Sequence, residues 1–304
     1  MGTIILFYKY IDIAQPHKLV MWQKSLCQQL GLKGRVIIAA EGINGTLGGP
    51  ARAIATYMQE MKVHALFADI DFKESPGAQD HFPRLRVVLR KEIVNFGIDP
   101  QELKAKDGGI HLEPVQVHEL ISKQPEDLLI LDCRNSFESK VGAFENAIKP
   151  EVTRFRDFPS YVDDNQEQFK DKQVLMYCTG GVRCERGSAY IKTKTQAKNV
   201  YQIKGGIHRY IEQFPDGFFR GKNYVFDGRI AVRVTEDVLS VCSLCSGPCD
   251  TYDNCLNAQC NKHFIGCDAC IEKYQNTCSQ KCYELVFMYN APKRPMRQKT
   301  HATR

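Results

Sequence analysis

Cys178 closes an apolar run, Val174-Leu175-Met176-Tyr177, and opens a glycine loop, Thr179-Gly180-Gly181-Val182-Arg183. Cys184 and Glu185 follow, in a helix-compatible stretch that continues through Ile191. An apolar run of this length reads as a buried strand. A cysteine between a strand's end and a helix start can have its sulfur ringed by backbone N–H groups. Such a nest stabilises an anion, and the positive end of the helix adds to the effect. Arg183 supplies a fixed charge. All three favour the thiolate, which is the nucleophile. A buried structural cysteine before an ordinary turn is the competing reading, and the glycines and arginine weigh against it. Cys184 can resolve an oxidised or persulfidated Cys178 as a disulfide, or it is a small residue in a helix's first turn. Asp132 and Arg134 stand where a second strand, Leu129-Ile130-Leu131, ends. Asp132 is expected to accept loop hydrogen bonds and hold the site in shape. Cys133, between them, reads as packing, with a redox role the lesser alternative.

A second chemistry is concentrated downstream. Cys242, Cys245, Cys249, Cys255, Cys260, His263, Cys267, Cys270, Cys278 and Cys282 form a run of ligand-type residues containing Cys-x2-Cys, Cys-x2-His and Cys-x3-Cys bites. Tetrahedral zinc takes such bites from single turns. Ten candidates exceed the eight ligands of two closed sites. The segment is poor in aliphatic residues, so metal would replace a core it cannot otherwise build. Structural zinc, two ions, is the leading expectation; an iron–sulfur cluster or redox disulfides are the alternatives.

The rest of the chain must position these groups. Its 304 residues suffice for two or three domains, and 43% hydrophobic with 25% charged residues is ordinary globular composition. A net charge of +6 permits an anionic partner without demanding one. The first residues lack a basic n-region and a long apolar core, so no signal peptide is expected, and no apolar run reaches membrane-spanning length. A cytoplasmic location with reduced thiols follows as an expectation, which favours metal over disulfides for the clustered cysteines.

Thr3–Tyr10, Arg35–Ala40 and Leu85–Leu89 read as strands, with Ile93–Phe96 extending or following the last. Glu41–Leu47 reads as a turn into another strand, and His17–Leu30 and Ala51–Lys62 read as helices, giving the βαββαβ order of a ferredoxin-like sandwich. Glu41-Gly42-Ile43-Asn44-Gly45-Thr46 reads as a hairpin connection needing glycine ahead of a phosphate-approaching loop. Arg84, Arg86, Arg90 and Lys91 form a basic group beside a strand. A solvated face is the plain reading and nucleic-acid contact the other. Residues 97–115, with Pro100, Gly108, Gly109 and Pro114, read as a linker. The tail from 291 carries Lys293, Arg294, Arg297, Lys299 and Arg304 without an acid; it is expected to be disordered, with some non-specific attraction for phosphate.

The spacing Cys178-x2-Gly181-x-Arg183 is one residue shorter than the Cys-x5-Arg loop of cysteine-dependent phosphatases and resembles the rhodanese active-site loop. Leu129 to Arg134, Glu138, Gly142 to Ile148 and the downstream Val200 to Ile207 agree with that resemblance, which covers roughly 116–222. Phe144, Glu145 and Tyr210 depart from it. The resemblance implies a persulfide-capable Cys178. Together with the N-terminal segment and the Phe226-Asp227-x-Arg229 approach to the cysteine-rich end, it extends to nearly the whole chain. The chain then resembles the bacterial rhodanese-related tRNA uridine(34) hydroxylases. That implies oxygen-dependent 5-hydroxylation of the wobble uridine, with Cys178 and Arg183 catalytic, tRNA as partner and molecular oxygen as co-substrate. No flavin or NAD motif is found. The expected architecture is a ferredoxin-like or acylphosphatase-like domain over 1–96, a linker over 97–115 and a rhodanese-like α/β domain over 116–222. A zinc-type module over 223–290 and a basic tail over 291–304 complete it. A plain sulfurtransferase carrying persulfide sulfur on Cys178 to a thiol acceptor uses the same loop, and a catalytically silent zinc-dependent adaptor is a third reading. The intact Cys178 and Arg183 weigh against the last.

Overall fold

The structure, a computed structural model, describes residues 2–295, so Arg297, Lys299 and Arg304 of the basic tail lie outside the described residues. By compactness the chain divides into two units: residues 1–136 with 146–218 and 226–228, and residues 137–145 with 219–225 and 229 onward.

The first unit opens with β1 (Gly2–Tyr10), α1 (Pro16–Gln29), β2 (Lys33–Ala39), β3 (Gly42–Pro50), α2 (Ala51–Val63), β4 (Asp71–Gly77) and β5 (Leu85–Leu89). The sheet order is β4-β1-β3-β2-β5, antiparallel except that β5 runs parallel to β2. The strand that completes βαββαβ is therefore β4, absent from the sequence reading, and Leu85–Leu89 is an added fifth strand. The reason is local: Asp71-Phe72-Lys73-Glu74-Ser75-Pro76-Gly77 is polar and carries proline, features tolerated on an edge strand that blunt its β signal. Ile93–Phe96 forms no strand. Alternation along β1 sends Ile5 and Phe7 into a core with Leu26, Val36, Ile38, Leu47, Ile54, Tyr57 and Met61. Each such buried side chain contributes ~1.5–3 kcal/mol. The opposite face of β1 presents Leu6, Tyr8 and Tyr10. The hairpin connection is only Ala40-Glu41, and Gly42–Thr46, expected as part of it, already belong to β3; Gly42 has φ 149°, and an added Cβ would lie 2.1 Å from the Lys9 carbonyl oxygen.

The same unit continues with β6 (Ile110–Leu112), α3 (Pro114–Lys123), β7 (Leu128–Asp132) and the one-turn α4 (Ser136–Ser139), which runs into the second unit. The second unit's β8 (Gly142–Phe144) comes next, then α5 (Phe158–Asp164), β9 (Gln173–Tyr177), α6 (Val182–Lys194), β10 (Asn199–Ile203) and α7 (Gly206–Gln213). A parallel sheet of order β6-β10-β9-β7 places the ends of β7 and β9 side by side, with Asp132 paired to Tyr177. Val174 and Met176 of β9 pack with Leu131, Phe155, Phe158, Val162, Phe169 and Ile191. Residues 97–115, expected as linker, supply β6 and the start of α3. A three-residue edge strand is too short to show alternation.

In the second unit β8 pairs with β11 (Phe219–Tyr224), which pairs with β12 (Ala231–Arg233). A hairpin of β13 (Tyr252–Asn254) and β14 (His263–Ile265) and two short helices, α8 (Asp268–Lys273) and α9 (Gln280–Phe287), carry the cysteines. The cores here are small and partly built from Cys242, Cys249, Cys255, Cys270 and Cys282 themselves. No helix among the described residues is long and apolar enough to cross a membrane.

Candidate active site and cysteine clusters

Cys178 follows β9 directly, and the loop to α6 curls around its sulfur. The Gly181 amide donates to Sγ at 3.1 Å. Gly181 takes φ 104°, and an added Cβ would meet the Tyr8 hydroxyl at 2.6 Å, so this turn requires glycine on two counts. Ile207 N–H donates to the Cys178 carbonyl at 3.0 Å, seating the Gly205-Gly206 turn against the loop. Cys133, Cys178 and Cys184 are fully buried, their sulfurs all within 4.8 Å of one another. Cys133 and Cys184 are the pair at 3.4 Å, and the Cys133 S–H also reaches the Tyr177 carbonyl at 3.1 Å. Burial opposes the Cys178 thiolate. The Cys133 and Cys184 thiols, the Arg183 charge and the Arg183 amide outweigh it, so its pKa falls well below the ordinary thiol value. Burial pushes Cys133 and Cys184 the other way and keeps them protonated.

Arg183 is buried, with Nη2 3.3 Å from the Thr179 hydroxyl and its guanidinium 5.6 Å from the Phe226 ring centre. Asp132 takes Arg134 in a bidentate grip, Nε to Oδ1 at 2.9 Å and Nη2 to Oδ2 at 2.6 Å, and also accepts the Arg134 amide. This pair shapes the neighbouring strand end.

The outer face of β1 lies on this loop. Leu6 sits against Gly180, and Tyr10 donates to the Val182 carbonyl at 3.2 Å. Tyr8 donates to Glu185 Oε1 at 2.9 Å. Glu185 also meets His111 Nε2 at 3.0 Å and accepts from Gln202 Nε2 at 3.1 Å. Burial, then the Glu185 charge, hold the Tyr8 hydroxyl well above the usual phenol range, so it remains a donor. The hydrogen bond to Glu185 raises the His111 pKa above its ordinary value. The next residue, the buried Arg186, pairs with Glu41 Oε2 at 3.0 Å and donates to the Ile98 carbonyl at 2.7 Å.

The ten expected metal ligands separate into two four-sulfur groups and two residues outside them. Cys242, Cys245, Cys267 and Cys270 form one group; Cys255, Cys260, Cys278 and Cys282 form the other. The Cys245–Cys267, Cys260–Cys278 and Cys278–Cys282 sulfur separations are 3.7, 3.6 and 3.9 Å. A tetrahedron with Zn–S bonds of ~2.3 Å has S···S edges of about 3.8 Å. Disulfide bonds are far shorter. Burial opposes ionisation of Cys242, but amide donors from Cys267, Leu244 and Cys245 bring it down to about 6. Cys249 is buried apart, its amide bonded to the Ser240 carbonyl. The His263 ring stacks on Tyr252 at 4.3 Å instead of joining either group. Both cysteine groups could bind a metal ion.

On the other edge of the N-terminal sheet, Arg84, Arg86, Arg90 and Lys91 are exposed and make no ion pair among the described residues. Arg35, in register with Arg86, joins them.

Three domain families match in succession: the UPF0176 acylphosphatase like domain over residues 2–93, the rhodanese-like domain over 113–213 and the rhodanase C-terminal domain over 220–283. The tRNA uridine(34) hydroxylase of Corynebacterium jeikeium (strain K411) is 39% identical over 294 residues, 93% of this chain and 94% of that protein. The protein of that name from Corynebacterium urealyticum is 39% identical over 288 residues, 92% and 96% of the two chains. The one from Onion yellows phytoplasma is 40% identical over 284 residues, 92% and 91%.

This chain belongs to the tRNA uridine(34) hydroxylase family.

In this member of the tRNA uridine(34) hydroxylase family, the residues around the Cys178 loop that sequence reasoning misses are Tyr8, His111, Gln202 and Arg186. Glu185 enters it only as a residue of the loop. Each meets its partner across a large sequence separation, so no local pattern points to them. Cys133 is read from the sequence as packing, with a redox role the lesser alternative; its contact with Cys184 is not visible there.

Proposed function

We propose that this chain hydroxylates uridine 34 of tRNA at C5 of the base, consuming molecular oxygen in the cytoplasm, with Cys178 as the reactive group. The observation that carries this reading is the near-full-length similarity to tRNA uridine(34) hydroxylases from several bacteria. Support for Cys178 comes from its amide nest, the adjacent Arg183 and the two protonated thiols, which together favour a thiolate. Arg183 is the fixed positive charge of the loop. Two zinc ions, one in each four-cysteine group, would brace the second unit; their chemistry there is structural, since four thiolates leave no open position. The exposed arginines of β5 and Arg35 would receive tRNA phosphates.

Purified protein, unmodified tRNA and oxygen-18 gas test the reading. The expected product is 5-hydroxyuridine at position 34 carrying the heavy isotope. A uridine that gains sulfur, or none that gains oxygen, would replace it with the sulfurtransferase reading.

A further inference from the structure

Hydroxylation by oxygen has an electron count that the geometry bears on. One oxygen atom enters a C–H bond and the other leaves as water, which consumes two electrons and two protons beyond those of the substrate. The Cys133 and Cys184 sulfurs lie 3.4 Å apart, in direct contact, in the wall of the Cys178 loop. Both are fully buried, and the bond they would form needs a closure of about 1.4 Å to reach ~2.05 Å. Resting on the hydroxylase reading, we propose that Cys133 and Cys184 are a redox dithiol that supplies the two electrons of each turnover.

The balance closes without another reactant. The uridine C5–H bond and the O–O bond break. A C5–OH bond, a water molecule and a Cys133–Cys184 disulfide form, the two thiol hydrogens leaving in the water. Oxygen is reduced by four electrons, two from the carbon and two from the sulfurs. Burial keeps Cys133 and Cys184 protonated while Cys178 is the thiolate, so the pair carries its hydrogens with its electrons and Cys178 stays out of the disulfide. Cys178 is itself wholly buried, with Leu6 against Gly180 and Tyr8 against Gly181 of its loop. A small dithiol must then reach the pair to reduce it again before the next turnover.

The test is a single turnover. Fully reduced, reductant-free protein is mixed with tRNA without oxygen, then exposed to it, and cysteines are mapped by differential alkylation. About one 5-hydroxyuridine per chain, together with a Cys133–Cys184 disulfide, is expected, and added dithiothreitol should restore cycling. Cys133→Ser and Cys133→Ala should lower the reductant-free yield at least roughly tenfold and leave tRNA affinity unchanged. Product formed while both thiols stay reduced would overturn the proposal, even if either variant failed to fold. Diamide treatment of the protein alone separates the two readings. If no Cys133–Cys184 disulfide forms, the dithiol is wrong whatever the hydroxylation assay shows. If it forms but no condition yields hydroxyuridine, the hydroxylase reading falls and the electron assignment with it.

Discussion

At the scale of single residues, the proposed chemistry turns on how three buried cysteines divide their protons. Cys178→Ser keeps the shape and loses the soft nucleophile, so hydroxylation should fall roughly a thousandfold or more with tRNA binding intact. Native activity in that variant would move the chemistry elsewhere. Arg183→Lys retains charge without the planar fork, and about a tenfold loss is expected in the same assay. The depressed Cys178 pKa also has a sign in stability. The group contributes stability above the ordinary thiol pKa, and that contribution fades as pH falls through the lowered folded value. Denaturant melts of the native protein and Cys178→Ser across this range should therefore converge on the acid side. A constant difference between them would refute the assignment. The Cys178 loop is legible in the sequence because its spacing is local. The closeness of Cys133 to Cys184 is not, since it arises only when β7 and β9 pair.

At the scale of elements, β1 does two jobs with its two faces. Ile5 and Phe7 fill the N-terminal core while Leu6, Tyr8 and Tyr10 settle on the Cys178 loop. Tyr8→Phe deletes one donor to the Glu185 carboxylate, and a hydrogen bond to a charged group is worth ~1.5–3 kcal/mol. Chemical denaturation should show a loss of that order; a change within a few tenths would mean that His111 and Gln202 suffice. The helices and four of the five N-terminal strands are readable from periodicity and glycine stops. Polar, proline-bearing β4 and three-residue β6 are not, because edge strands bury too little to carry a pattern.

For the whole molecule, the division of the cysteines predicts metal content residue by residue. Native protein should bind two zinc ions, Cys245→Ala and Cys260→Ala should each lose one, and Cys249→Ala and His263→Ala should keep both. Elemental analysis decides this; unchanged zinc in Cys245→Ala would refute the grouping. Neutralising Arg84, Arg86 and Arg90 together should weaken tRNA binding and flatten its salt dependence by roughly one unit of slope for each phosphate no longer neutralised. An unaltered salt titration would mark that edge as a solvated guard against strand pairing. The sequence alone does not divide ten ligands between sites, because spacing shows which bites exist and not which bites meet. The pairing of β8 with β11 bears on how the chain is made. As the polypeptide leaves the ribosome, Gly142–Phe144 emerges long before its hydrogen-bonding neighbour Phe219–Gly221, and everything from α5 to α7 is translated in between. The nascent chain thus holds a strand edge open until late in synthesis. No single cut separates the two units, and a chain stopped within α7 would contain β8 but not the strand that pairs with it.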